Sequence, residues 1–251
     1  MQSFCRSFTQ LPTIDSTNNY AMRLIHARLA KHGDAFFALE QTEGKGQRGR
    51  VWESKKGESI LMSIVLTPSF LAPMQSFLLS AAIALGTYDF FRKYGGDGTR
   101  IKWPNDIYYN DRKAGGILIE NRIQAKKWQF AVAGLGVNIN QPDFSGYGNR
   151  PVSLRQITGI EYDVIGLAKE LCMFLEERYS ILEGGGETLI LRSYNDALYK
   201  RNEGVRLKRA DTILNAVVKG VDDDGQLIIE TAGGHEEKCA WGTVEWLLPD
   251  V

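Results

Sequence analysis

Apolar positions recur at two spacings along this chain, and the spacing separates helices from strands. Apolar side chains three and four positions apart share one face of a helix, whereas short apolar runs between turn residues are typical of strands. The helical spacing predicts helices over residues 18–31, 74–94, 163–182 and 187–200. Strand-like runs are predicted at residues 35–41, 59–66, 100–103, 107–109, 116–120 and 128–135, with a hairpin turn at 110–112. The pattern therefore indicates helices packed on a sheet.

The first predicted helix has recognisable ends. Ser16 or Thr17 can cap its start, and Gly33 can end it. Its predicted buried face consists of Ala21, Leu24, Ile25 and Leu29.

The pattern changes after Asn202. Short strands are predicted at 205–208, 215–221, 226–230 and 244–248, and glycine-containing turns separate them. A unit of about 50 residues is marginal for folding alone, so we expect it to pack on the larger part. The predicted division is 1–202 and 203–251.

Composition excludes several classes of protein. The 251 residues are 43% hydrophobic, and 30 basic residues balance 30 acidic ones, which argues against a dedicated nucleic-acid binder. The sequence shows no signal peptide and no apolar run of about 20 residues, so we expect no membrane association. The three cysteines are far apart and form no metal spacing and no obvious disulfide pattern, which fits a cytoplasmic protein. The three histidines show no ligand spacing.

A glycine-rich segment, residues 44–50 (GKGQRGR), is the first candidate for chemistry. It matches G-x-G-x-x-G, but no helix opens after it, as a dinucleotide site requires, and the other kinase motifs are absent. Glycines let backbone N–H groups approach an anion, and Lys45, Arg48 and Arg50 add positive charge. We interpret the segment as a loop that closes over a phosphate or acyl phosphate; the alternative is a solvated turn. Trp52 can stack on a flat ring or belong to the core.

Lys113 is the strongest single candidate for a ligand-binding residue. It enters an apolar strand, where a long cation needs a partner, and we favour a ligand carboxylate over a surface position. Gly115 and Gly116 would leave room beside it. Asn105 and Asp106 can hold a metal-bound phosphate or orient an amine, or they are only turn residues.

Six segments, in this order, resemble the motifs of biotin protein ligases: residues 14–18 (IDSTN), Gln41, 44–50, 102–106 (KWPND), 112–118 (RKAGGIL) and 134–138 (GLGVN). The resemblance spans the whole chain. It implies an α+β fold, in which a mixed β-sheet catalytic domain with packed helices, of the class II synthetase-like biotin/lipoate ligase type, carries a small C-terminal SH3-like β-barrel. Because the motifs begin by Ile14, it also implies the form without an N-terminal DNA-binding domain.

The resemblance further implies an enzyme that makes biotinyl-5′-AMP from biotin and ATP with Mg²⁺. It then transfers biotin to a lysine of a biotin carboxyl carrier protein or carrier domain, acting as a monomer or a homodimer. The implied catalytic residues are Lys113, Arg48 and Asp106, with Mg²⁺ near Asp106 and no cage of protein ligands. The implied biotin-binding residues are Ser16, Thr17, Asn18, Gln41, Lys45, Gly46, Gln47, Lys113 and Gly115. The implied ATP- or adenylate-binding residues are Arg48, Arg50, Trp52, Asn105 and Asn138.

The chain departs from the family pattern in its glycine loop, which is commonly G-R-G-R-R-G. Lys45 keeps the charge but not the planar fork of arginine, and Gln47 keeps only hydrogen bonding, so we expect looser retention of the adenylate. Three alternatives stay open: a lipoate protein ligase, a non-enzymatic biotin-responsive regulator, and an SH3-like interaction module on an inert body.

Overall fold

Seven strands form one mixed sheet in the computed structural model, which describes residues 4–124, 127–145 and 150–247. The order across the sheet is β1-β2-β3-β7-β6-β5-β4; β1 and β2 run parallel, and the other described neighbours are antiparallel. The strands are β1 (Phe8–Leu11), β2 (Ala35–Ala38), β3 (Ser59–Leu66), β4 (Thr99–Lys102), β5 (Asp106–Tyr109), β6 (Arg112–Gln124) and β7 (Lys127–Asn138).

Helices cover both faces of this sheet. They are α1 (Thr17–His26), α2 (Ser76–Gly95), α3 (Leu154–Thr158), α4 (Val164–Glu183) and α5 (Glu187–Asp196), with short 3₁₀ turns at Gln47–Gly49 and Pro73–Gln75. Helix α1 packs on one face through Ala21 and Ile25, which meet Val65 and Val132 of the sheet. Helices α2 and α4 pack on the opposite face with the main core. Because both faces are covered, all eight residues of β3 are buried, and its sequence is apolar apart from Ser59 and Ser63.

The remaining strands form a second sheet. They are β8 (Gly204–Arg209), β9 (Thr212–Val221), β10 (Leu227–Thr231), β11 (His235–Cys239) and β12 (Glu245–Leu247). All described pairs in this sheet are antiparallel, in the order β11-β10-β9-β8-β12, which fits the expected SH3-like unit.

The small sheet packs on the larger body, as its size predicted. The Trp103 indole donates to the Gly225 carbonyl at 2.9 Å, and the Asn195 side chain bonds both backbone groups of Val221. Gly225 allows this approach, because a Cβ there would lie 2.3 Å from the Phe77 ring. The two parts therefore share one hydrophobic core.

The sequence prediction of α1 was wrong at its end. The helix stops at His26, Arg28 takes the left-handed conformation with φ 59°, and the predicted core residue Leu29 is 70% exposed. Apolar spacing cannot detect such a stop, because arginine is not a usual left-handed residue. The spacing also missed β1, α3 and β11, of which β1 lies at a sheet edge and β11 (HEEKC) is mostly charged. Leu248, at the end of the last predicted strand, lies outside the described residues.

The cysteine interpretation also needs correction. Cys5, just before β1, forms a disulfide with Cys172 of α4, 167 positions away along the chain. Cys172 is buried, but sequence spacing gives no sign of a pair this distant. In the three described ranges, no helix is long and apolar enough to cross a bilayer.

Candidate active site

A cavity of about 800 Å³ opens on the α1 face of the large sheet. The start of α1, the glycine loop, strands β5 to β7 and the 241–247 segment of the small sheet enclose it. Every residue named above as a candidate lines this cavity except Gly115. The fold therefore gathers segments that are more than 200 positions apart along the chain.

The first turn of α1 supplies neutral polar groups to one end of the cavity. Ser16 occupies the N-cap position, but its side chain makes no capping hydrogen bond. The Thr17 backbone N–H donates to Gln41 Oε1 at 2.7 Å, which turns the Gln41 amide nitrogen away from the helix. A cap was one explanation for this polar cluster, and the structure instead shows Ser16 as a cavity-lining residue without a capping bond.

Asn18 lies behind these groups. Its amide nitrogen donates to the Glu120 carboxylate, and its amide oxygen accepts from Ser63. Only Gly134 allows this packing, because a Cβ there would lie 2.3 Å from Asn18 Oδ1. Asn18 reaches the cavity wall with both ends of its amide already bonded to protein. Its predicted contact with biotin stays a prediction.

An ion pair lies two residues further along the same strands. Leu118 pairs with Gly134 beside Asn18, and Gly116 pairs with Gly136 beside the ion pair. The two residue pairs are therefore about 7 Å apart along the strands. Beside Gly116, the Lys113 ammonium lies 2.7 Å from Asp106 Oδ1, and each side chain is 21% exposed. The partner that the sequence required for Lys113 is thus Asp106 in this structure.

The two neighbouring glycines have different roles. A Cβ on Gly116 would lie 3.2 Å from Lys113 Nζ and 3.3 Å from Asp106 Oδ1, so Gly116 leaves room for the ion pair, as expected. Gly115 faces away from the cavity, and a Cβ there would lie 3.0 Å from the Gly136 carbonyl oxygen. Gly115 is not among the residues that line the cavity, and its predicted contact with biotin stays a prediction.

Lys102 is a cavity residue that the sequence analysis did not select. Its ammonium lies 5.0 Å from the Tyr108 ring centroid and 5.6 Å from that of Trp246, within cation–π range. Burial, against the opposing charge of Asp106 and with smaller contributions from Lys113 and Arg50, lowers the pKa of Lys102 to about 8. The available signal was its position at the start of the KWPND motif.

The glycine loop is folded over the cavity. Gly46 N–H donates to the Arg50 carbonyl at 2.7 Å, and Lys45 forms a bridge with Val51. Gly44 must be glycine here, because a Cβ would lie 2.2 Å from the Trp52 carbonyl oxygen. At the tip, Arg48 has φ 57° and donates to the Gly242 carbonyl of the small sheet at 3.2 Å. Gln47 donates to the Ile117 carbonyl across the cavity at 3.4 Å.

Three further candidates shape the wall. The Trp52 ring lies against Gly136, and its indole N–H is buried without a partner among the described residues. The amide nitrogen of Asn105 donates to the Ile117 carbonyl, and that of Asn138 donates to the carbonyls of Lys113 and Val152. The two asparagines therefore fix backbone segments around the cavity, and their predicted contacts with an adenylate stay predictions.

The described residues include no group of three His, Cys, Asp or Glu side chains able to hold a metal ion. The carboxylates on the cavity wall are Glu53, Asp106 and Glu245.

Comparison with known proteins identifies the two parts separately. Residues 11–138 match the model of the biotin/lipoate A/B protein ligase family, and residues 202–245 match that of the biotin protein ligase C-terminal domain. The chain is 32% identical over 229 residues to the bifunctional ligase/repressor BirA of Escherichia coli, covering 90% of this chain and 70% of that protein. It is 29% identical over 233 residues to the biotin–[acetyl-CoA-carboxylase] ligase of Paracoccus denitrificans, covering 90% and 95%.

The fold agrees with these matches. The solved biotin protein ligase from Aquifex aeolicus, in complex with biotin and ATP, superposes with a TM-score of 0.80 at 22% identity, covering 96% of this chain and 99% of that one. With one family model over half of the chain and a second over its small sheet, the protein belongs to the biotin/lipoate A/B protein ligase family.

Proposed function

We propose that this chain is an ATP-dependent biotin ligase that forms biotinyl-5′-AMP and transfers biotin to a lysine of a biotin carboxyl carrier protein. The observation that carries the proposal is the division of one cavity into a neutral polar end and a cationic end. Ser16, Thr17 and Gln41 suit the uncharged bicyclic head of biotin. Lys113, Lys102 and the loop arginines suit its carboxylate and the phosphates of ATP.

The first step joins two anions. The biotin carboxylate attacks the α-phosphorus of ATP, an acyl–phosphate bond forms, and pyrophosphate leaves with the electron pair of the broken P–O bond. Two like charges 4 Å apart cost about 4 kcal/mol at an effective dielectric constant near 20. Lys113 is held by Asp106 and Gly116 where it can offset this repulsion and stabilise the charge that develops on the phosphate.

The glycine loop adds charge and excludes water. Arg48 and Arg50 line the cavity, and the contact of Arg48 with Gly242 closes the loop against the small sheet. A closed loop protects an acyl adenylate from hydrolysis. Gln47 donates a neutral hydrogen bond where an arginine would add charge, which supports looser retention of the adenylate.

The site fits Mg²⁺ as an ion carried by ATP. Magnesium is commonly held by one or two carboxylates together with phosphate oxygens, and Asp106 supplies a carboxylate beside the cationic end. When bound, the ion would neutralise phosphate charge.

In the second step, a carrier lysine amine attacks the acyl carbonyl and AMP leaves. The amine must first lose a proton, and we propose Asp106 as the group that receives it, because its carboxylate lies on the cavity wall. The cytoplasmic location and the division into 1–202 and 203–251 also remain proposals.

The direct test is incubation of the protein with biotin, ATP, Mg²⁺ and a carrier domain, followed by mass spectrometry of the carrier. We expect one biotinyl group on one lysine, and none when ATP is omitted. An unmodified carrier would contradict the proposal. A lipoate ligase is the nearest alternative, and calorimetric titration with biotin and with lipoate separates the two.

A further inference from the structure

Glu120 lies outside the cavity but is connected to it through buried side chains. Its Oε2 accepts from Asn18 Nδ2 at 2.7 Å, and Asn18 Oδ1 accepts from Ser63 Oγ at 2.6 Å. Ser63 Oγ also lies 2.7 Å from Thr17 Oγ1, which faces the cavity. Asn18, Ser63 and Thr17 are all at most 3% exposed, so water has little access to this series.

The carboxylate gives the series one direction. An asparagine amide can be flipped, but an ionised carboxylate only accepts hydrogen bonds, so the Asn18 nitrogen must face Glu120. The Leu118 carbonyl, at a longer 3.4 Å from this nitrogen, favours the same orientation. The Asn18 oxygen then faces Ser63, whose single proton is used to donate to it. The Thr17 hydroxyl proton then has two acceptors within the protein, Ser63 Oγ at 2.7 Å and Gln41 Oε1 at 3.1 Å.

This direction determines what the cavity presents. With its proton turned towards either of these protein acceptors, the Thr17 hydroxyl offers a lone pair to a ligand and acts as an acceptor. Gln41 offers the opposite group, because its oxygen already accepts from the Thr17 backbone N–H and its amide nitrogen remains to donate. An acceptor beside a donor complements a cyclic urea, which carries N–H groups beside a carbonyl.

We propose that Glu120 is a positioning residue that sets the hydrogen-bond direction of the pocket for the ureido ring of biotin. This inference rests on the proposed function and adds a specificity determinant that does not touch the ligand. Without the carboxylate, the Asn18 nitrogen keeps the Leu118 carbonyl at 3.4 Å as its described partner. Asn18 can then flip and donate to Ser63, whose proton turns to Thr17 and occupies one of its lone pairs. The acceptor of the pocket is then weakened. Gly134 keeps Asn18 close, so the amide can turn over but has little room to move away.

The test is Glu120→Gln, which preserves size but can present an amide nitrogen to Asn18. We expect the KM for biotin to rise about tenfold, while the KM for ATP and kcat at saturating biotin stay within twofold of the parent values. Dethiobiotin, which keeps the ureido ring and lacks the thioether, should lose affinity by the same factor in calorimetric titration. Glu161→Gln is the matched control, since Glu161 is an exposed carboxylate that pairs with Arg155.

Ser63→Ala supplies an independent variant, because it removes the middle of the series while leaving Glu120 in place. The double variant should bind biotin no more weakly than Ser63→Ala alone, since both changes act through one route. Full additivity of the two effects, or an unchanged biotin KM in folded Glu120→Gln protein, would overturn the inference. Failure of the parent protein to bind biotin would instead overturn the proposed function.

Discussion

Lys113 and Asp106 are brought together by a β-bulge. In the pairing of β5 with β6, Ile107 faces Gly115 and Tyr108 faces Lys113, so Ala114 is an extra residue in β6. The extra residue reverses the alternation of side chains and places Lys113 on the same face as Gly116 and Asp106. The reacting end of the cavity therefore depends on a local irregularity of the sheet.

Replacing Lys113 tests its role in adenylate formation. We expect Lys113→Ala to lower the rate of biotin-dependent ATP–pyrophosphate exchange by about 10²- to 10³-fold, because the charge on the phosphate loses its stabilising cation. The change also leaves the Asp106 carboxylate unpaired, so Lys113→Ala with Asp106→Ala separates the two effects. Lys56→Ala, on an exposed side chain, is the control. Full exchange activity in Lys113→Ala would refute the assignment.

Replacing Gln47 tests retention of the intermediate. We expect Gln47→Arg to slow release of biotinyl-5′-AMP roughly tenfold, because a charge-assisted hydrogen bond to the phosphate is stronger than a neutral one by about 1–1.5 kcal/mol. Release can be followed as biotinylation of a bystander protein, such as serum albumin, which only free adenylate can reach. Lys45→Arg controls for a change of side chain without a change of charge. Equal bystander labelling by parent and Gln47→Arg protein would contradict the expectation.

The buried position of Lys102 predicts a dependence on pH. Burial lowers its pKa to about 8, so the folded protein loses this charge as pH rises through 8, and ATP binding should weaken there. We expect kcat/KM for ATP to fall above pH 8, and Lys102→Met to flatten that decline, whereas Lys102→Arg should preserve activity at higher pH. A decline that persists unchanged in Lys102→Met would assign it to another group.

The same shift has a defined sign for stability. Between pH 8 and the ordinary value of 10.5, the unfolded chain holds a proton on Lys102 that the folded protein has lost. The contribution of Lys102 to the free energy of unfolding therefore increases with pH across this window. Below pH 8 the lysine is charged in both states, and the cost of burying that charge destabilises the folded protein in full. Urea titrations of the parent and Lys102→Met proteins at pH 7 and pH 9.5 measure the difference.

The Cys5–Cys172 disulfide predicts sensitivity to reductant. Closing a loop with a sequence separation of 167 restricts the unfolded chain, by about 5 kcal/mol in the chain-entropy description. We expect dithiothreitol to lower the unfolding midpoint by on the order of 10 °C. Cys5→Ser should show the lower midpoint without reductant and no further change with it.

A thiol count is the companion measurement. Under denaturing conditions the untreated protein should show one reactive thiol, from Cys239, and three after reduction. Three thiols in protein alkylated inside intact cells would show that the bond is absent there. That result would also agree with a cytoplasmic location, where disulfides are rare.

Apolar spacing alone determined β3, the long helices α2 and α4 to within two residues at each end, and the presence of a small all-β unit. Each of these elements buries a continuous face, so the regular spacing of its apolar residues is visible in the sequence. It also determined the motifs whose side chains line the cavity. It did not locate β1 or β11, because an edge strand and a charged strand bury too little to show a period.

Tertiary structure decided the rest. Strict alternation along residues 112–118 would place Lys113 and Gly116 on opposite faces, and only the pairing with β5 shows the extra residue at Ala114 that brings them together. The disulfide, the contact of Arg48 with Gly242, and the connection from Glu120 to Thr17 likewise join residues far apart in the chain. Local sequence fixes which face a side chain prefers, but a hydrogen bond or an ion pair depends on which strands and helices become neighbours when the core closes.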